Sequence, residues 1–213
     1  MTEQQLRAEL ADVGRRVVAA GLVVGAGGNL SARLPGNDLL AISPSGYRLD
    51  DLAPDDFVVI GFDGQRRKGD LKPSSEWRMH TAALRARPDT VAVIHVHPPY
   101  GTLLHALGRP IRLITIDHAY YVRRIAQIGY YHSGTAELAE AVAVQLRAAN
   151  VVLMQHHGCV VVADSLDLAL HCALNVEEAA KATFRALQLD DSATMCPPAF
   201  LERITQLEKS ADG

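Results

Sequence analysis

The spacing of apolar positions divides the chain into alternating helical and extended segments. Leu6, Leu10, Val13 and Val17 recur at helical intervals, so residues 2–24 read as an amphipathic helix, with Thr2 and Gln5 forming a capping box at its start. Gly25-Ala26-Gly27-Gly28-Asn29 breaks that helix. Short apolar runs at 39–42 and 57–62 read as strands, separated by the turn Ser43-Pro44-Ser45-Gly46, and Asp63-Gly64 is a good hairpin turn. The polar start Pro73-Ser74-Ser75-Glu76 opens a helix over 73–86. A β-branched strand at 91–96 stops at Pro98-Pro99, followed by a short helix at 100–107 and a strand at 111–116. The pattern then gives a helix over 135–149, strands at 151–154 and 160–163, a long helix capped by Asp164 or Ser165 and running to about 187, and a final helix over 198–209. Helices and strands interleave without a composition break, repeat or linker, which predicts one α/β domain over 1–213.

Composition narrows the classes. With 48% hydrophobic and 21% charged residues over 213 positions, the chain is neither disordered, coiled-coil nor collagen-like. A chain of this length buries roughly 70% of its unfolded surface, so it needs no disulfide or metal staple to fold. Lys and Arg total 21 against 24 Asp and Glu, a net charge of −3 that offers no electrostatic case for a nucleic acid or an anionic membrane. The longest basic run, Arg66-Arg67-Lys68, reads as a solvated hairpin. No apolar stretch reaches the roughly 18 residues of a transmembrane helix. Met1–Gln5 is polar and lacks the order of a signal peptide, and Cys159, Cys172 and Cys196 are scattered, as reduced core cysteines of a cytoplasmic protein would be.

Nine histidines are the compositional oddity, and four of them fall in two tight clusters. His95-Val96-His97 ends a predicted strand, where residues i and i+2 project from the same face; two adjacent imidazoles suit a Zn²⁺-like ion or, more blandly, a polar sheet rim. His156-His157-Gly158 ends another; consecutive strand residues face opposite ways, so one of the two is the expected ligand, with Gly158 expected to let the backbone turn. Lys72-Pro73-Ser74-Ser75-Glu76 offers two hydroxyls and unpaired N–H groups at a helix start, which suits an anion or simply caps the helix. Glu76 and His80 share a helix face at i, i+4, which makes His80 a ligand candidate or a residue behind the ligands. Gly27-Gly28-Asn29 and Ser43-Pro44-Ser45-Gly46 are small-residue turns where backbone N–H groups can approach a phosphate, though neither matches a Walker loop or a GxGxxG fingerprint.

These motifs together resemble the class II aldolase/adducin family, nearest to its L-fuculose-1-phosphate aldolase branch. Ala26-Gly27-Gly28-Asn29-Leu30-Ser31, Ser43-Pro44-Ser45-Gly46, Lys72 to His80, Val93 to His97 and Gln155-His156-His157-Gly158 follow the family's order and spacing across residues 5–185. The resemblance implies a three-layer α/β/α fold with a central mixed sheet, assembled as a homotetramer with active sites at subunit interfaces. It implies zinc (Mn²⁺, Co²⁺ or Fe²⁺ as substitutes) held by His95, His97 and His157, with Glu76 as a further ligand that swings away to act as the catalytic acid or base. Phosphate-binding positions fall on Gly28, Asn29, Ser45, Gly46, Ser74 and Ser75. The implied reaction is reversible cleavage of a ketose 1-phosphate, L-fuculose 1-phosphate or a related deoxyketose phosphate, to dihydroxyacetone phosphate and an aldehyde. Relatives on this fold also epimerise sugar phosphates at C4, generally with Asp where this chain has Glu76, or decarboxylate keto or aromatic acids. Adducin-like members lack the ligands and act as scaffolds, whereas His95, His97 and His157 are retained here. Residues 112–134 depart from the fuculose aldolases; Asp117, His118, Tyr120, Tyr121 and Arg124 are the acceptor-side candidates there, with a surface or interface segment as the alternative.

Overall fold

A computed structural model describes residues 2–36 and 38–211, so the ends of the 1–213 span assigned to one domain lie outside the described residues. In chain order it contains α1 (Glu3–Ala19), β1 (Asn29–Arg33), β2 (Leu39–Ile42), β3 (Val58–Gly61), β4 (Arg66–Lys68), α2 (Trp77–Ala86), β5 (Ala92–Val96), α3 (Pro99–Ala106), α4 (Ile116–Val122), β6 (Ile125–Ile128), α5 (Ala136–Leu146), β7 (Val151–Met154), β8 (Gly158–Ala163), α6 (Leu166–Gln188) and α7 (Pro198–Ala211). The strands form one mixed sheet in the order β4-β3-β2-β1-β5-β8-β7-β6, antiparallel throughout except for the parallel β6–β7 pair.

Strand alternation produces two apolar faces, and each is covered by helices. Leu30, Ala32, Ile94, Val96, Leu153 and Val161 pack with Leu10, Val17, Leu170 and Val176 of α1 and α6. Ile42, Ile60, Val93, Val152 and Val160 pack with Met79, Leu84, Val142 and Leu146 of α2 and α5. This is a three-layer α/β/α arrangement, as the motifs implied. Each fully buried Leu, Ile or Val in these layers stabilises the fold by about 1.5–3 kcal/mol before entropy is counted.

Local chemistry sets the helix starts. The capping box at α1 is present, with Thr2 N–H donating to Gln5 Oε1 at 2.8 Å and Gln5 N–H to Thr2 Oγ1 at 3.2 Å. Ser165 accepts from Leu168 N–H and caps α6. All three cysteines are free and buried, and among the described residues no helix is long and apolar enough to cross a membrane.

The structure differs from the sequence pattern in several places. α1 stops at Ala19, where Gly21 takes a positive φ, and not at residue 24. Residues 111–115 form no strand: Arg112 N–H donates to Thr183 Oγ1 (2.9 Å) and Cys196 N–H donates to Leu113 O (2.8 Å), so the segment is held by α6 and the 191–196 stretch without a ladder partner. Pro73–Glu76 precede α2 and do not form its first turn, because Pro73 bridges Pro44 and Ser74 N–H donates to Ser43 O. Strands β1 and β6 and helix α4 were not anticipated. In β1 the alternate set Asn29, Ser31 and Arg33, which faces α2, is polar although the strand is central and buried, which hides the apolar pair Leu30 and Ala32.

Candidate active site

The site grows from two adjacent strands. Asn29 on β1 pairs directly with His95 on β5, so their side chains leave the same face of the sheet, toward α2. His97 lies two residues further along, just past the end of β5, with its N–H donating to Leu22 O at 2.9 Å. His157 comes from the β7–β8 turn. There the residue with left-handed backbone is His156 (φ 59°), which is exposed, whereas Gly158 has no such φ. Glycine is needed at 158 for close approach: a Cβ would stand 2.3 Å from Val96 O and 2.7 Å from His97 Cδ2. The expectation that Gly158 supplies the turn is corrected on this point; the turn is made one residue earlier than His157 and directs only His157 inward.

Three imidazoles and one carboxylate meet at this corner. His95 Nε2 lies 3.0 Å from His97 Nε2 and 3.1 Å from Glu76 Oε2, and His157 Nε2 lies 3.4 Å from Glu76 Oε1. A ligand atom of each histidine lies within 4.8 Å of the others. Donors around a tetrahedral Zn²⁺ with Zn–N near 2.05 Å stand roughly 3.3 Å apart, so these separations fit a divalent cation. His95 Nδ1 faces Cys159 O at 2.9 Å and donates to it, which points Nε2 toward the cluster.

Electrostatics agree with a ligand set. Burial, reinforced by the neighbouring imidazoles, holds His97 down to about 4, and burial likewise lowers His157, so both are neutral at neutral pH. Burial pushes the Glu76 carboxyl up, but its hydrogen bond and attraction to His95, with Asn29 and His157, outweigh that and hold it below the usual carboxylate range. Neutral imidazoles and an ionised carboxylate are the protonation states that bind metal.

Beside this cluster opens a cavity of about 160 Å³. Its walls include Gly28 and Asn29, Ser45 and Gly46, and Ser74 and Ser75, together with Glu76, His97 and His157. The two serine loops are joined by the Pro44–Pro73 bridge and by Ser45 N–H donating to Lys72 O. Gly28 adopts φ 72°, and a Cβ there would collide with His95 O. Ser133 also lines the cavity, and its hydroxyl donates to Glu76 Oε1 at 2.8 Å. Nothing in the sequence marked Ser133: its loop carries no ligand-type pattern.

The acceptor-side candidates lie elsewhere in the chain. Tyr120 and Tyr121 line a separate cavity with Thr90, Ala163 and Asp164, and Ala163 pairs with Ala92 at the opposite end of β5 from His95. Asp117 and Arg124 are exposed at either end of α4, and His118 is buried within the Thr115 capping box. None of these five lines the histidine cavity of its own chain.

Comparison with known proteins agrees with this geometry. Residues 8–184 match the family described as Class II Aldolase and Adducin N-terminal domain. A Rhodospirillum rubrum protein named 5-methylthioribulose-1-phosphate/5-deoxyribulose-1-phosphate aldolase is 39% identical over 96% of this chain and 91% of its own. L-fuculose phosphate aldolase of Escherichia coli K12 is 34% identical over 90% of this chain and 88% of its own. A solved L-fuculose 1-phosphate aldolase superposes with a TM-score of 0.86 at 30% identity, covering 94% of this chain and 96% of that one. The chain belongs to the class II aldolase and adducin family, and the two relatives just described carry the names of aldolases.

Proposed function

We propose that the chain is a zinc-dependent aldolase that reversibly cleaves a ketose 1-phosphate to dihydroxyacetone phosphate and an aldehyde. The observation that supports this best is the convergence of His95, His97, His157 and Glu76 beside a cavity walled by the Ser45-Gly46 and Ser74-Ser75 loops. His95, His97 and His157 would hold the cation, with Glu76 near enough to join them. When bound, the cation would supply Lewis-acid stabilisation of negative charge on the substrate's carbonyl oxygen. Glu76 would carry the proton at the carbon next to the carbonyl, as an ionised carboxylate held inside the cavity. Gly28, Asn29, Ser45, Gly46, Ser74 and Ser75 would hold the phosphate through hydroxyls, an amide and backbone N–H groups, contributing orientation remote from the broken bond.

The acceptor half of the reaction follows from assembly. Asp117, His118, Tyr120, Tyr121 and Arg124 lie away from their own chain's histidines, so they would serve the aldehyde from a neighbouring chain of a homotetramer. The relative at 39% identity is named for 5-methylthioribulose 1-phosphate and 5-deoxyribulose 1-phosphate, which makes these the first substrates to assay beside L-fuculose 1-phosphate. The test is release of dihydroxyacetone phosphate from each by zinc-loaded protein, with and without a chelator. Chelator-sensitive release supports the reading. No release from any of them, with carbon dioxide released from keto acids instead, overturns it in favour of a decarboxylase.

A further inference from the structure

Behind Glu76 runs a chain of buried polar groups that leads from Asn29, at the cavity wall, inward to His80 and Ser31, which do not line the cavity. Asn29 Nδ2 donates to Glu76 Oε2 at 2.9 Å. Asn29 Oδ1 meets His80 Nε2 at 2.5 Å, and His80 Nδ1 meets Ser31 Oγ at 2.7 Å. His80 and Ser31 are 0% exposed and Asn29 is 6% exposed, so water cannot substitute for a missing partner.

The directions of these bonds follow from the carboxylate end. An ionised carboxylate only accepts, so the Asn29 NH₂ faces Glu76 and its carbonyl oxygen faces His80. His80 Nε2 must therefore carry the proton that Asn29 Oδ1 accepts. Burial holds His80 down to about 3, so the ring is neutral and Nδ1 is bare, and the Ser31 hydroxyl donates to it. Reversing the Asn29 amide would set its oxygen against Glu76 and its NH₂ against the His80 N–H. The carboxylate and this one buried histidine tautomer thus select the same direction for the Asn29 amide. The second N–H of the amide stays available to the cavity that Asn29 lines.

We infer that Ser31 and His80 are positioning residues for the reaction: through Asn29 they fix the orientation of the Glu76 carboxylate and of an amide N–H offered to the bound anion. Neither touches substrate or cation. β1 supplies Asn29 and Ser31 from one face, and α2 supplies His80 one turn after Glu76, so the strand–helix packing aligns the proton carrier. The kinetic part of this inference rests on the aldolase reading above; the tautomer part does not.

Two measurements test it on the zinc-loaded protein. Long-range ¹H–¹⁵N correlation on histidine-labelled protein at neutral pH should show His80 neutral with Nε2 protonated, the signals being assigned by their loss in His80→Gln. A ring protonated at Nδ1 instead, or at both nitrogens, overturns the inference. Kinetically, His80→Phe removes the donor to Asn29 and should lower kcat about 10–100-fold with KM within about 2-fold, at unchanged zinc content. His80→Gln returns a donor N–H and should recover most of kcat, and Ser31→Ala should lose less than His80→Phe. Failure of His80→Gln to exceed His80→Phe, or wild-type kcat in His80→Phe, overturns the positioning role. If His80→Phe does not fold, His80→Gln at wild-type-like kcat with Ser31→Ala reduced supports the role, and the opposite order overturns it. A wild-type protein that cleaves no ketose phosphate overturns the aldolase reading alone, and the tautomer then decides the inference.

Discussion

Both carboxylate oxygens of Glu76 are occupied in the structure, Oε2 by Asn29 and His95 and Oε1 by Ser133 and His157. A group gripped this way is placed to carry a proton with little rearrangement. Glu76→Gln keeps the shape and removes the base, so it should lower turnover about 100-fold or more while zinc, assayed by atomic emission, stays bound through the three histidines. His97→Ala removes an imidazole that burial keeps neutral, and the purified protein should carry less metal than wild type. A further residue-scale expectation concerns stability. The His80 pKa is lower in the folded chain than the ordinary histidine value of about 6.5, so the unfolded chain takes up the proton first as pH falls. Stability from this group is complete above about 6.5 and declines as pH drops toward about 3. Urea midpoints measured at pH 7, 5.5 and 4 should fall less steeply in His80→Gln than in wild type; equal slopes would remove His80 from that dependence. The histidines were legible in the sequence because HxH and HHG have recognisable spacing. Ser133 was not, since a hydroxyl that meets a carboxylate 57 positions away leaves no local pattern.

Strands and helices place these residues by simple periodicity. On β5, Ile94 and Val96 enter one core while Val93 enters the other, so His95 emerges on the α2 side beside Asn29. The apolar strands β2, β3, β5, β7 and β8 could be read from their runs. β1 could not, because its alternate positions are polar groups claimed by α2: Asn29 and Ser31 by His80, and Arg33 by Leu84 O. The mistaken strand at 111–116 failed for the converse reason, an apolar segment that packs but finds no ladder partner. Gly158→Ala tests the element scale. Its methyl would meet Val96 O and the His97 ring, so stability should fall by about 1–3 kcal/mol and zinc content should fall with it. Ser165→Ala is the contrast: loss of the α6 cap should cost about 1 kcal/mol in chemical denaturation and leave zinc content unchanged.

At the scale of the molecule, one chain offers two cavities at opposite ends of β5: the histidine and serine cavity, and the one lined by Tyr120 and Tyr121. In the proposed tetramer the second region of one chain completes the first of another. Light scattering should then give about four times the 23.0 kDa chain mass. Co-expressing Glu76→Gln chains with Tyr120→Phe chains should restore activity that neither variant has alone if Tyr120 serves a neighbour, and restore none if it does not. The fold was legible from the sequence as interleaved helices and strands, but the distance of the acceptor-side candidates from the histidine cavity of their own chain was not, because it depends on where α4 lies in space. The central claim is that Glu76, beside a metal held by three histidines, moves a proton on a three-carbon phosphate donor. The most direct measurement is deuterium incorporation into dihydroxyacetone phosphate in D₂O, followed by NMR with the zinc-loaded protein. The account predicts exchange that stops with chelator and falls sharply in Glu76→Gln. A folded, zinc-loaded protein that exchanges nothing, or an undiminished rate in Glu76→Gln, would contradict it.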